Sequence, residues 1–338
     1  MILGGEKMTG KKITIKDVAK ESGVSISTVS QILNGNGKNF SPKTVEKVIK
    51  IKEKLNYEPD YFARRMVMKK SKTIGVMVPD ISNPFFSTLV RGIEDVLYQE
   101  NFITMLCNAN EENKRENNAL EELSRRGVDG FIIASSAISN EDIERLLRNK
   151  KHPFIILDQK SSEGNSDTIG TDDFLGGKLA GEHLKELNHT NVAIVVPINI
   201  TQNIQRRVDG FQSIYGENCQ LIEVGDLSKK SGRKAAKEIT QLNISGIFAI
   251  NDEIAFGLYL GLKELGKVVP EDYSIVGYDN VEMCEYMTPP LTTIGQPIYD
   301  LGRQTAEMLL DRIEHPEKEW ESKKLPVNII KRFSTTHA

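Results

Sequence analysis

At 338 residues, with 39% hydrophobic and 27% charged side chains, the chain is too long for one ordinary core and has the balance of a soluble globular protein of two or three domains. No apolar run approaches the roughly 18 residues that suggest a membrane span, and the leader MILGGEKMTGKK lacks the apolar stretch of a secretory signal, so a cytoplasmic location without membrane contact is expected. The formal charge of −3 is unevenly divided, since residues 1–72 hold 16 Lys and Arg against 7 Asp and Glu while the remainder holds 28 against 40; a basic head on an acidic body suits phosphate binding.

Residues 1–12 are expected to be a disordered leader, and residues 13–58 a small helical head. Thr14 and Asp17 can cap a short helix whose apolar residues Ile15, Val18 and Ala19 fall at helical spacing, and Gly23 supplies the turn that follows. Ser25 is placed to cap a second helix. Val29, Ile32 and Leu33 form its buried stripe, leaving Ile26, Ser27, Thr28, Ser30 and Gln31 outside. Two short helices joined by a glycine turn make a helix-turn-helix, in which the second helix enters the DNA major groove. After the polar loop NGNGKNF, Ser41-Pro42 opens a third helix to about Leu55, with Val45, Val48, Ile49 and Leu55 as its expected inner face. The segment 59–71 reads as a linker whose YFARRM stretch is a short helix with too little apolar surface to stand alone.

From Thr73 the pattern changes to apolar runs alternating with amphipathic helices, the mark of parallel α/β sheets. TIGVMV, FITMLC, DGFIIA and PFIILD form one series, and NVAIVV, LIEV, GIFAI and YSIVGYD a second. Two such series imply two lobes with a cleft between them. Ligands of these sheets bind beyond the carboxyl ends of the strands, where this chain places Asp80, Asp158, Asn251 and Asp279.

From about Thr14 to Phe333 the sequence resembles the lac repressor family of bacterial transcription regulators. TIKDVAKESGVSISTVSQILNG, SPKTVEKVIKIKEKLNYEPD, ARRM, IGVMVPDISNPFF, RGVDGFII, GIFAINDEIAFG, VPEDYSIVGYDN and MTPPLTTIGQP occur in family order. The resemblance implies a helix-turn-helix head, a hinge helix and a core, residues 72–338, similar to periplasmic sugar-binding proteins. Three crossovers would place about 72–169 and 296–322 in one lobe and about 170–295 and 323–335 in the other. It implies a homodimer on pseudo-palindromic double-stranded operator DNA, and the absence of leucine heptads in the C-terminal FSTTHA favours the dimer over a tetramer.

Carried over by position, Ile26, Ser27 and Gln31 would read bases, and Thr14, Thr28, Ser30 and Asn34 would contact phosphates or cap helices. Many members have Arg where this chain has Gln31, so a shifted base preference is expected; an amide can bond adenine bidentately. Ala63 and Met66 fall on the hinge helix, with Met66 in the place of the usual Leu wedge that opens a base step in the minor groove. For the sugar effector the resemblance implies Phe85, Phe86, Asp158, Arg207, Asn251, Asp279 and Gln296. One of the two phenylalanines would stack on the sugar ring, and the polar groups would bond its hydroxyls. Gln159 stands where ribose binders carry Arg, and Leu227 where an aromatic is common. MTPPLTTIGQP and RRVDGF look most like ribose operon repressors, so an inducer that is ribose or another pentose is expected. The alternatives are a corepressor ligand or protein coregulator, as in catabolite-control members, and a sugar-binding protein without gene control.

Nothing favours an enzyme. GNGKNF lacks the third glycine of a dinucleotide fingerprint, and no nucleophile elbow, P-loop or zinc-protease pattern occurs, so no cofactor, metal or catalytic residue is expected. Cys107, Cys219 and Cys284 are scattered and read as free thiols. His183 and His189, six residues apart, read as surface histidines.

Overall fold

Local capping chemistry starts each helix of the head. In helix α1 (Ile15–Ser22) the Thr14 amide and hydroxyl both donate to Asp17 Oδ2, at 2.8 and 2.7 Å, and Gly23 ends the helix in the left-handed region at φ +67°. Helix α2 (Ile26–Leu33) begins where Ser25 Oγ accepts the Thr28 amide at 3.0 Å; α3 (Pro42–Lys54) begins where Ser41 Oγ accepts that of Thr44 at 3.2 Å. Val18, Ala19, Val29, Ile32, Val48 and Tyr57 close the small core. Ile49 does not join it, being 42% exposed. A helix turns about 100° per residue, so Ile49 stands a quarter-turn from Val48, and Ile51 takes the inner place with Val45 and Leu55. Tyr57, outside the helix, supplies the aromatic cover that helical spacing could not reveal.

The computed structural model describes residues 13–58, 71–109, 112–135, 138–157 and 166–338. The chain divides at Ser71/Lys72 into two compact units, and the second contains two six-stranded sheets. Ala63, Met66, Asp158 and Gln159 lie outside the described residues.

The first sheet is built from β1 (Thr73–Val78), β2 (Ile103–Asn108), β3 (Gly130–Ile133), β4 (Phe154–Leu157) and β5 (Asp167–Thr171), in the spatial order β5-β4-β3-β1-β2, all parallel. Its strands alternate as a sheet covered on both faces must. Ile74, Val76 and Val78 face one cluster, while Met77 faces another with Phe131, Ile133, Phe154 and Ile156. Helices α4 (Pro84–Gln99), α5 (Asn113–Arg126) and α6 (Asn140–Ile143), the last prolonged by a π-turn over Glu144–Arg148, connect these strands.

The chain then crosses over. Helix α7 (Asp173–Glu186) leads to β6 (Val192–Pro197), followed by α8 (Gln202–Tyr215), β7 (Cys219–Val224), α9 (Lys229–Ile239), β8 (Gly246–Ala249), α10 (Asp252–Glu264), β9 (Ser274–Asp279), α11 (Met283–Tyr286) and β10 (Thr292–Gly295). Helix α12 (Ile298–Glu314) returns to the first lobe, where β11 (Ser322–Leu325) pairs beside β5. The chain then crosses a third time, and β12 (Asn328–Ile330) pairs antiparallel with β10. The second sheet runs β12-β10-β9-β8-β6-β7. The lobe boundaries expected at 169 and 322 move outward, because the parallel register Ser322↔Thr168 to Leu325↔Thr171 holds both strands in the first sheet through Thr171 and Leu325.

The histidines expected on the surface are buried, His183 at 6% and His189 at 3% exposure. His189 Nδ1 and Nε2 lie 2.7 Å from Ser245 Oγ and 3.0 Å from the Thr336 carbonyl, and His183 Nε2 lies 3.0 Å from Thr335 Oγ1. The C-terminal tail, far away in sequence, covers them. Burial depresses both imidazoles, His183 to about 4. The three cysteines are free thiols.

Candidate functional site

On α2, Ile26 is 45% exposed and Ser27 and Gln31 are also exposed. Thr28, Ser30 and Asn34 are half-buried and bond within the helix: Thr28 Oγ1 is 2.9 Å from Ser25 Oγ, and Asn34 Nδ2 donates to Ser30 Oγ at 3.3 Å. The two groups therefore have different chemistry available. Ile26, Ser27 and Gln31 present an apolar branch, a hydroxyl and an amide to a groove, whereas Thr28, Ser30 and Asn34 shape the helix that carries them. Thr14 is exposed at the start of α1.

In the core, the carboxyl ends of β1, β6 and β7 surround a cavity of about 410 Å³ between the two lobes. Asp80, Ser82, Asn83 and Phe86 line it from the first lobe. From the second come Pro197, Asn199, the stretch Gly225 to Lys230, and Glu253. Asn83 caps α4 by accepting the Phe85 amide at 2.9 Å, and Pro84 takes the first helical position, so a polar loop swings directly into a rigid helix carrying both aromatics. Phe86 faces the cavity; Phe85 packs edge-on against it, with centroids 5.1 Å apart at 86°. Leu227 also lines the cavity.

Arg207, Asn251, Asp279 and Gln296 do not line that cavity, but they gather near neighbouring strand ends. Arg207 is buried on α8. Its Nε donates to Asp173 Oδ1 at 2.8 Å and its Nη1 to the Ile250 carbonyl at 3.1 Å, while the guanidinium lies 3.7 Å over the Tyr278 ring. Burial pushes the Asp173 carboxyl up, and Arg207 and the Tyr278 hydroxyl, 3.2 Å away, oppose that shift. Asn251 caps α10, accepting the Ile254 amide at 2.9 Å and donating to the Leu227 carbonyl at 3.2 Å. Gln296 bridges the lobes, for its Nε2 donates to Asp279 Oδ1 and its Oε1 accepts from Thr171 Oγ1, both at 2.7 Å. Asp279 holds this place with φ +121°, a conformation L residues rarely adopt and one that concentrates at functional sites.

Several lining groups were not anticipated from the sequence: Asn199, Asp226, Lys229, Lys230 and Glu253. The available signal was their position just past an apolar strand or at the start of the next helix. Lys229 Nζ pairs with Glu253 Oε2 at 2.8 Å, and the hydroxyls of Ser228 and Ser231 hold the Asp226 carboxyl below its usual range. Among the described residues there is no cluster of His, Cys, Asp and Glu that could hold a metal ion, and no helix long and apolar enough to cross a membrane.

A head with a reading helix, joined to a two-lobed core with polar strand ends, matches known proteins over nearly its whole length. Residues 14–60 match the bacterial regulatory proteins of the lacI family, and residues 71–333 match the periplasmic binding proteins and sugar binding domain of the LacI family. The chain belongs to the LacI family. Among curated LacI-family relatives, the ribose operon repressor of Halalkalibacterium halodurans is 34% identical over 327 residues, covering 95% of this chain and 97% of that one. The HTH-type transcriptional repressor PurR of Aliivibrio fischeri is 32% identical over 330 residues, covering 95% and 98%. A LacI family transcriptional regulator from Enterococcus faecalis, solved with bound ribose, is 59% identical with a TM-score of 0.76, over 79% of this chain and 99% of that one. The lac repressor dimer bound to operator and the anti-inducer ONPF is 28% identical with a TM-score of 0.85, over 96% and 100%. This LacI-family chain is thus a DNA-binding transcriptional repressor.

Proposed function

We propose that this repressor binds ribose, or another pentose, between its core lobes and releases its operator in response. The observation that carries the reading is a cavity in which one aromatic, Phe86, meets carboxylates and amides from facing strand ends, Asp80 and Asn83 on one side and Asn199 and Asp226 on the other, in a chain 59% identical to a regulator that holds ribose. Phe86 would cover the apolar face of the ring. Asp279, Asn251, Gln296 and Arg207, with Asp158, would bond the hydroxyls. A cavity of about 410 Å³ is within the roughly 300–1,000 Å³ typical of small-molecule sites.

The mechanism follows from the crossovers. A ligand that binds one lobe arrangement better than another shifts the population toward it. In a dimer, rotating the lobes would separate the paired hinge segments, with Met66 as the wedge of each. Because those segments are short, little energy is needed: about 1.4 kcal/mol of coupling changes operator affinity tenfold. On the operator, Ile26, Ser27 and Gln31 would read bases, and Thr14, Thr28, Ser30 and Asn34 would hold the backbone. Operator binding also implies action in the cytoplasm.

The test is titration calorimetry of the full chain with D-ribose, glucose and purines, together with operator binding with and without the sugar. Ribose should bind and weaken the operator complex. Tightening of the complex would replace induction with corepression, and saturable binding of a purine instead of ribose would overturn the sugar assignment.

A further inference from the structure

Asp252 is fully buried, yet no step of sugar recognition uses it. Its Oδ1 accepts from Thr293 Oγ1 on β10 at 2.7 Å. Its Oδ2 accepts from the Val281 amide, just past β9, at 3.0 Å, and from Cys284 Sγ on α11 at 3.1 Å. Two of the three ties lead to segments that carry an expected effector group, and Asp252 itself follows another. Asn251 immediately precedes Asp252, Asp279 lies two residues before Val281, and Gln296 lies three residues after Thr293. The fold also reserves space for this carboxylate. At Gly277 a Cβ would stand 2.3 Å from Asp252 Oδ1, so a side chain there would push it aside.

A carboxylate in such a place is costly. Burial raises its pKa to about 6, and the hydroxyl, thiol and amide donors offset part of that shift. An apolar side chain would fill the volume without the penalty, so what the carboxylate adds is directional: three donors from three segments converge on two oxygens. One of those segments includes Asp279 at φ +121°, a backbone conformation that persists only when its neighbours hold it.

We propose that Asp252 is a positioning residue of the effector site, holding the start of α10 and the ends of β9 and β10 in one frame so that Asn251, Asp279 and Gln296 meet the same ligand. This inference rests on the reading of the cleft as a sugar site. Thr293→Val tests it most cleanly, because it removes one tie with little change in shape and does not touch the carboxylate. Asp252→Ala would leave three donors unpaired and risks failing to fold. D-Ribose affinity is measured by calorimetry on the full chain, well below each variant's thermal midpoint. Thr293→Val should lose about tenfold in affinity, the scale of a hydrogen bond to a charged group, and Thr293→Ser, which keeps the hydroxyl, should restore it. A lowered midpoint with native ribose affinity in Thr293→Val would mean a structural role only and would overturn the proposal. Asp279→Asn serves as the control on the underlying reading. If it too binds ribose normally, the sugar site is misplaced and the inference falls with it; if it alone loses binding, the site stands and the positioning role fails.

Discussion

Two buried arginine–aspartate pairs sit in the two lobes and use the same chemistry for different ends. In the first lobe Arg312 meets Asp167 through Nε and Nη2, at 2.7 and 2.9 Å, with side chains only 3% and 2% exposed. The same guanidinium donates to the carbonyls of Pro316, Lys318 and Glu319 and lies 4.3 Å from the Trp320 ring. Asp167 opens β5, so the pair fastens the loop between α12 and β11 at the sheet end away from the cleft. In the second lobe Arg207 and Asp173 are about as buried, at 6% and 5%, and an aromatic again covers the guanidinium. This pair stands at the carboxyl ends of the strands, beside the Ile250 carbonyl that precedes Asn251. Burial and pairing alone do not distinguish a fastening from a ligand group. Location along the strands does.

The comparison predicts opposite failures. Arg312→Ala leaves a carboxylate buried and unpaired, which costs about 3–5 kcal/mol and should lower the thermal midpoint by about 10 °C. Ribose affinity of the protein that remains folded should stay near native. Scanning calorimetry and ribose titration of the same sample check both halves, and an unchanged midpoint would mean that the loop is held by other contacts. Arg207→Lys is the counterpart. It keeps the charge beside Asp173 but loses the planar fork and much of the stacking on Tyr278. Ribose affinity should fall tenfold or more, with a smaller loss of midpoint than Arg312→Ala. Native ribose affinity in Arg207→Lys would move that pair to the scaffold as well.

These pairs also mark the limit of what sequence alone disclosed. The head was legible because its signals are local: Ser25 and Ser41 cap the helices they precede, and Gly23 sits where only a left-handed turn fits. Ile49 was misread for a local reason too, as four residues after Val45 it satisfies helical spacing yet lies off the stripe centred on Val48. The alternation of the core strands was equally plain. Arg312 and Asp167, by contrast, are 145 residues apart, and His189 meets a carbonyl 147 residues away. Neither spacing nor composition reports such partners. The strands SKKL and NII were missed because they are short and mostly polar or half-exposed, recognisable only from the neighbours they pair with. Of the residues that line the cavity, Asp80 was legible through the rule of strand ends and Phe86 through the family resemblance. Asn199 and Asp226 follow the same rule but lie in loops with no pattern of their own, and Lys230 sits in the first turn of α9 just past such a loop.

The corresponding end of the second sheet is fastened by neutral imidazoles rather than by an ion pair, which gives the smallest and most conditional of the expected effects. Ser274 opens β9 and receives the Thr336 amide at 2.9 Å, while His183 and His189 hold Thr335 and Thr336. Both histidines have pKa values lowered by burial, His183 to about 4, against roughly 6.5 in an unfolded chain. The folded protein therefore binds fewer protons than the unfolded one between those values. Stability from this source is complete above about pH 6.5 and is lost as the pH falls toward 4. Arg312 stays charged throughout that range, so the first lobe's fastening does not share the loss. Thermal midpoints measured between pH 7.5 and 5 should decline, and His183→Asn with His189→Gln should flatten the decline. A slope that is the same in the histidine variant and the native chain would assign the acid sensitivity to other groups and remove the contrast between the two sheet ends.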